Sequence, residues 1–211
     1  KKKKNFPYSL LFFFFVFLIW NIFAGEHLYS EGYVWDDIHF IRSYSLIEIM
    51  NSWKDNWIPG KFETQSYRPF AILFYHFFGS VFQENTLLLR IFIMLLMCIL
   101  ISLVIFFFLL LGAKKRQIII LLTFLISSKI FMTLASWFTL SVLILSFIFF
   151  FLTLINFIYF KITNKFIYLI FSSFACFVSV FSREELYSLF FIVPILSYYL
   201  DKDLKKSFLS S

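Results

Sequence analysis

Apolar runs long enough to cross a bilayer recur along this chain and constrain its fold before any other feature does. A helix needs about 20 apolar residues to cross roughly 30 Å of hydrocarbon. Six stretches reach or approach that length, at about 8–24, 87–112, 117–135, 138–160, 166–182 and 186–200, the last two being short. In lipid every backbone N–H and C=O must be satisfied within the chain, so runs of this kind are helices. With 61% hydrophobic residues, 35 Phe, 5 Gly and 4 Pro, the chain has too little polar surface for a soluble domain. The expected fold is therefore all-α: a polytopic membrane protein of about six transmembrane helices, a single transmembrane domain over 1–211.

The basic residues order these spans. A net charge of +7 does not indicate nucleic acid here, because the cations border apolar segments and follow the positive-inside pattern. With the N-terminus in the cytoplasm, Lys1 to Lys4, Lys114-Lys115-Arg116, Lys161 with Lys165, and Lys202, Lys205 and Lys206 share one side. That side then holds 12 of the 19 basic residues but only Asp201 and Asp203 of the 12 acids. Six alternating spans reproduce this asymmetry without adjustment. Lys1 to Lys4 would also suit a secretory signal, but Ile22 stands where cleavage after Ala24 requires a small residue, which favours an uncleaved anchor. Cys98 and Cys176 fall inside spans, too few for a disulfide framework or a metal site.

The connection from about 25 to 86 is the long one, on the outer side, and a loop of that size has structure and work of its own. Ile38, Ile41, Leu46, Ile49, Met50 and Trp53 recur at near-helical spacing and predict an amphipathic helix on the membrane surface. After Pro59-Gly60, the apolar segment Phe70 to Phe82 is too short to span comfortably and contains Tyr75, His76 and Gly79. It reads as an interfacial or re-entrant helix, with Pro69 in its first turn and Arg68 at its mouth.

Charged residues then collect on the outer face. Asp36-Asp37 follow span one, Arg68 precedes the short helix, and Ser182-Arg183-Glu184-Glu185 make up nearly all of the connection between spans five and six. Carboxylates and arginines at a membrane edge are costly unless they face water, a cavity or a reacting group. Together they suit a reaction in which a carboxylate takes the proton of a hydroxyl while arginines hold a phosphate leaving group. The bland alternative is that Asp36 and Asp37 are solvated or pair with Arg68 or Arg183, and that one of Glu184 and Glu185 merely neutralises Arg183. His27, His39 and His76 lack metal-ligand spacing and read as surface or interfacial residues, while Lys129 and Arg90 read as snorkelling cations or contacts to lipid phosphate.

Tyr33-Val34-Trp35-Asp36-Asp37 after the first span, Tyr67-Arg68-Pro69-Phe70 leading to Phe78-Gly79, and Ser182-Arg183-Glu184 at the outer end of a later span occur in an order that resembles the GT-C superfamily of membrane glycosyltransferases. Within it they resemble in particular the protein O-mannosyltransferase-like and tetratricopeptide-bearing transmembrane branch. The resemblance implies transfer of one sugar, for which a mannose-like hexose is one candidate, from a polyprenyl or dolichyl phosphate to an acceptor hydroxyl, with inversion; the residues offer no metal or cofactor site. It implies that Asp37 or Asp36 is the general base, that Arg68 and Arg183 hold the donor phosphate, and that Glu184, with Glu185 beside it, orders the site. Arg183 stands where the family commonly has Lys, which keeps the charge and alters the phosphate geometry.

The implied partners are a lipid-linked sugar donor, an acceptor protein or glycan, and membrane lipids, in a bacterial plasma membrane or the endoplasmic reticulum. Family members run through further spans, so the chain resembles the N-terminal half of such an enzyme, completed by a C-terminal half or a partner subunit. The competing class is a non-catalytic lipid-phosphate-binding transporter or accessory membrane subunit. A channel fits less well, because spans two to six carry almost no polar stripe.

Overall fold

The structure, a computed structural model, describes residues 40–54, 67–82, 85–127 and 138–209. All the regular structure among them is helical: α1 (Leu46–Asn51), α2 (Pro69–Phe82), α3 (Thr86–Leu110), α4 (Lys115–Ser127), a 3₁₀ turn (Phe138–Leu140) leading into α5 (Ser141–Thr163), α6 (Phe166–Val180), a second 3₁₀ segment (Glu184–Ser188) and α7 (Leu189–Leu209). Among the described residues two stretches, Thr86–Leu110 and Phe138–Thr163, are long and apolar enough to cross a membrane. The α6 helix, at 15 residues, is shorter than the span expected over 166–182. The expected span 8–24 and the later part of 117–135 lie outside the described residues.

The α5 helix is the centre of the bundle and packs against α6, α3, α7 and α2. Its most apolar window is 56% buried, against 39% for that of α3, so α5 is the more enclosed of the two. The α6 helix runs antiparallel to it after a two-residue turn at Asn164 and Lys165, in which Asn164 takes the left-handed conformation (φ 54°) that ends helices. Hydroxyls set the register: Ser172 Oγ donates to the Thr153 carbonyl (2.9 Å) and Ser179 Oγ to the Ser146 carbonyl (3.0 Å). These serines are small enough to let the backbones approach and polar enough to bond across the contact.

The bundle has two chemically distinct ends. The α3 helix stops in a Schellman motif, with Gly112 at φ 80°, Gly112 N–H on the Leu109 carbonyl and Ala113 N–H on that of Phe108. Near the same end Phe106 stacks on Tyr159, and Lys161 Nζ binds both oxygens of Asp201 at 3.1 Å. At the other end the Arg90 guanidinium covers the Phe138 ring at 5.0 Å, and Tyr75 Oη donates to the Thr139 carbonyl (2.9 Å). Lys114 to Arg116 and Lys161 thus sit at one end, and the turn between α6 and α7 at the other.

Among the described residues, the surface helix expected over Ile38 to Trp53 is interrupted: Phe40 is helical, residues 41–45 are not, and α1 covers the six residues Leu46–Asn51. Ser45 opens it with a reciprocal capping box to Glu48, and the residues before it are held in non-helical geometry, the Tyr44 N–H donating to His76 Nδ1 at 2.9 Å. Bonds from the Ser45 backbone hold the Glu48 carboxyl below its usual range against slight burial, helped by the Ser45 hydroxyl and Arg42. That contribution is present at neutral pH and fades as the pH falls through the depressed folded value. By contrast, α2 forms over the expected residues, with Pro69 in its first turn and Ala71, Ile72, Tyr75, Phe78 and Gly79 buried on one face.

Gly79 fixes how the 40–45 segment lies on α2. A Cβ there would stand 2.3 Å from the Arg42 carbonyl carbon and 2.6 Å from its Cα, so the two backbones touch only because the side chain is missing. Gly79→Ala should displace this segment, and the clash should exceed the gain of about 1 kcal/mol in helix propensity. Hydrogen exchange at the Tyr44 amide is the check: it should quicken in the variant while the α2 amides stay protected, and unchanged protection would contradict the contact.

Candidate functional site

Tyr67-Arg68-Pro69-Phe70 enters α2 directly against the turn that follows α6. Pro69 starts the helix where no donor is lost, and the Phe70 N–H, also unpaired within α2, reaches the Phe181 carbonyl at 3.4 Å. Aromatic rings close the joint. Trp53 meets Phe70 edge-on (5.2 Å between centroids), Phe70 meets Phe177 (5.6 Å), Phe177 meets Phe181 (4.6 Å), and Tyr67 meets Phe181 (6.0 Å). The Tyr67 hydroxyl donates to the Trp53 carbonyl at 2.8 Å, so α1 is tied into the same cluster. Such edge-to-face pairs add about 0.5–1.5 kcal/mol each beyond their burial.

This packing delivers Arg68 to Glu184. Its Nε and Nη2 donate to the two carboxylate oxygens in a fork-to-fork pair across 116 residues of sequence. Burial alone would lower the Arg68 pKa, but the Glu184 hydrogen bonds and charge, together with the Glu185 charge, outweigh it and raise it further. Arg183, extended ahead of the second 3₁₀ segment, donates from Nη2 to Glu185 Oε1 at 2.9 Å. Ser182, fully buried, turns its hydroxyl back to the Val178 carbonyl (2.6 Å) and closes the last turn of α6.

The antiparallel register sets the height of this corner. Residues 172 and 179 pair with 153 and 146, so Arg183 lies level with about Val142, in the first turn of α5. The stretch Phe138–Thr163 has 26 residues, about 39 Å at 1.5 Å per residue. Against roughly 30 Å of hydrocarbon, its first turn falls at the apolar edge. Charges there need partners, which explains why each arginine is met by an acid.

Two buried polar atoms at this level have no hydrogen-bond partner among the described residues, Arg183 Nε and Ser141 Oγ. Ordered water is the ordinary way to satisfy such atoms, and an anion's oxygens are another. The burial is uneven: the Arg183 side chain is 15% exposed and that of Glu185 50%. Glu185 is therefore the partner in this pair with the freer access to solvent.

Arg68, Arg183, Glu184 and Glu185 are thus together at one end of the bundle. Asp36 and Asp37 lie outside the described residues, as do His27, His39 and Lys129. His76 accepts a backbone hydrogen bond in the α1–α2 joint. Arg90 is 8% exposed and stacks on Phe138 rather than snorkelling outward, so its guanidinium is part of the packed core. Sequence reasoning passed over Ser141 and the aromatic joint. Ser141 carries no sequence signal, while the rings flanking both arginine motifs, Tyr67 and Phe70 on one and Phe181 on the other, could have pointed to the joint.

No protein-family model, curated protein or solved structure matches the chain.

Glu184→Gln removes the charge and one acceptor without changing volume. Stability should fall by on the order of 1–2 kcal/mol, discounted because Glu184 is more than a third exposed. A double-mutant cycle with Arg68→Gln, read by denaturation in detergent, should return a coupling of similar size, whereas additive effects would mean that the two residues do not hold the corner.

Proposed function

We propose that this protein is a membrane glycosyltransferase of GT-C type that moves a sugar from a polyprenyl or dolichyl phosphate donor to an acceptor hydroxyl on the side opposite its basic loops. The observation that carries the reading is the convergence of the Tyr67-Arg68-Pro69-Phe70 and Ser182-Arg183-Glu184-Glu185 motifs at one edge of the apolar bundle, with Arg183 Nε buried and unbonded there. A lipid-linked phosphate presents its charge at that height while its chain stays in the hydrocarbon.

In this reading Asp37 or Asp36 accepts the proton of the acceptor hydroxyl as its oxygen attacks the anomeric carbon. The bond from that carbon to the phosphate oxygen breaks on the opposite face, and the electron pair leaves with the phosphate, giving inversion. Arg68 and Arg183 stabilise the charge gathering on the departing phosphate, with Glu184 holding Arg68 in orientation. Glu185 swings aside as the phosphate takes its place on Arg183. The six-span topology, with a cytoplasmic N-terminus, belongs to the same proposal. It is supported by the gathering of Lys114, Lys115, Arg116 and Lys161 at the end remote from the arginine motifs.

The fully engaged state of Arg68 favours a second reading, in which the corner binds a lipid phosphate without chemistry, as in a transporter or accessory subunit. One experiment separates the two: transfer of labelled sugar from a polyprenyl phosphate donor by membranes containing the full native gene product, wild type against Asp37→Asn and Asp36→Asn at matched expression. Removing a general base should lower turnover by about 10²–10⁴-fold in one of the two variants. Equal transfer in all three proteins would remove both aspartates as the base. Donor binding that depends on Arg183, with no turnover in any protein, would establish the second reading.

A further inference from the structure

At the basic end, α3 and α4 meet through a small apolar cluster, Ile105, Ile118 and Leu122, with Ile101, Phe108 and Ala113 against it. Beside this cluster lies a cavity of about 400 Å³, lined by Phe108, Leu111, Gly112, Ala113, Gln117, Ile118 and Leu121. That volume falls among ordinary ligand pockets, roughly 300–1,000 Å³. Gly112 leaves the mouth open, since a Cβ there would meet nothing within 4 Å.

The charges around the mouth differ from those elsewhere at this end. Lys161 is neutralised by Asp201, but Lys114, Lys115 and Arg116 are exposed and have no carboxylate partner among the described residues. The heights also match a lipid. The 25 residues of α3 extend about 37 Å, so the loop after Leu110 reaches the headgroup layer, while Phe108 and Leu121 lie about a turn deeper. Three cations with no carboxylate partner among the described residues thus stand at phosphate height, over a cavity at acyl height whose side chains are apolar apart from Gln117.

We propose that this cavity is a binding site for an anionic glycerophospholipid of the leaflet at the basic end, its phosphate held by Lys114, Lys115 and Arg116 and the start of an acyl chain seated against Phe108, Ile118 and Leu121. The site is separate from the arginine corner and does not depend on what that corner does. The apolar side chains of Phe108, Leu111, Ile118 and Leu121 argue for a lipid over free phosphate, which would leave them facing water, and the lack of a facing acid among the described residues argues for an anionic lipid over a zwitterionic one.

The test uses the full chain reconstituted in phosphatidylcholine vesicles with a minor fraction of spin-labelled phosphatidylglycerol, and reads the motionally restricted fraction of each lipid. Neutralising Lys114, Lys115 and Arg116 to Gln should lower the preference for phosphatidylglycerol by roughly fivefold per cation. Leu121→Trp, which fills the cavity and keeps every charge, should also abolish most of the preference. Ala113→Leu, which narrows the mouth from the loop, is the second filling variant in case the first does not fold. Retained preference in both filling variants would reduce the effect to surface electrostatics and overturn the site. Displacement of the restricted lipid by inorganic phosphate at matched ionic strength would equally overturn it, as a free-phosphate site.

Discussion

The two serine hydroxyls that bond α6 to α5 are the constraint on which the rest of the described structure depends. Between helices in lipid, apolar faces have no hydrophobic drive to choose one register, because the tails are as apolar as the side chains. The faces of α5 and α6, rich in Phe, Ile and Leu, would slide at modest cost. Hydroxyls on Ser172 and Ser179, seven residues apart and each matched to a carbonyl on α5, select one alignment. A slip of one turn would carry the corner after α6 about 5.4 Å along the bundle, and Arg183, Glu184 and the Phe181 carbonyl would leave the positions at which α2 meets them.

The ion pairs at the corner follow from that alignment rather than causing it. An arginine at an apolar edge is costly without a partner, and a pair there is worth little unless its geometry is good. Arg68 obtains good geometry because Pro69 and the Phe70 bond to Phe181 fix its backbone, and because Trp53, Phe70, Phe177 and Phe181 exclude water beside it. The fork between Arg68 and Glu184 then locks an arrangement that packing has already made. Arg183 lacks such a scaffold on its partner's side, since Glu185 is half exposed, and its Nε is left over.

Much of this was legible in the sequence wherever a local rule decided the outcome. Pro69 before an apolar segment too short to span marked α2, and charge alternation between apolar runs separated the two ends. Over Ile38 to Trp53 the apolar spacing predicts one continuous helix where the described residues break at 41–45, although Ser45 and Glu48 carry a capping-box spacing that marks a new start. What ends the longer helix is tertiary: the Tyr44 amide on His76, and the Arg42 backbone seated on Gly79. The burial of Arg90 against Phe138 was likewise invisible, because a cation in the first turns of a span snorkels unless a neighbouring ring lies over it, and that ring comes from 48 residues further along the chain. The convergence of Arg68 with the later motif was legible as a shared face, but not as a direct pair.

The two ends would therefore handle anions differently. In the corner, Arg68 and Arg183 are each met by a carboxylate, so an anion gains a place only by displacing Glu185 or by using the leftover Nε. Exchange of this kind weakens binding but sharpens it, since a ligand must present phosphate oxygens in the right geometry to replace what it removes. At the basic end, Lys114, Lys115 and Arg116 have no such competitor among the described residues, so attraction of an anion there would be weakly selective and screened by salt beyond about 8 Å, and the cavity below would add a shape requirement. On the two proposals together, the chain would set a discriminating anion site against an adhesive one across the length of α5.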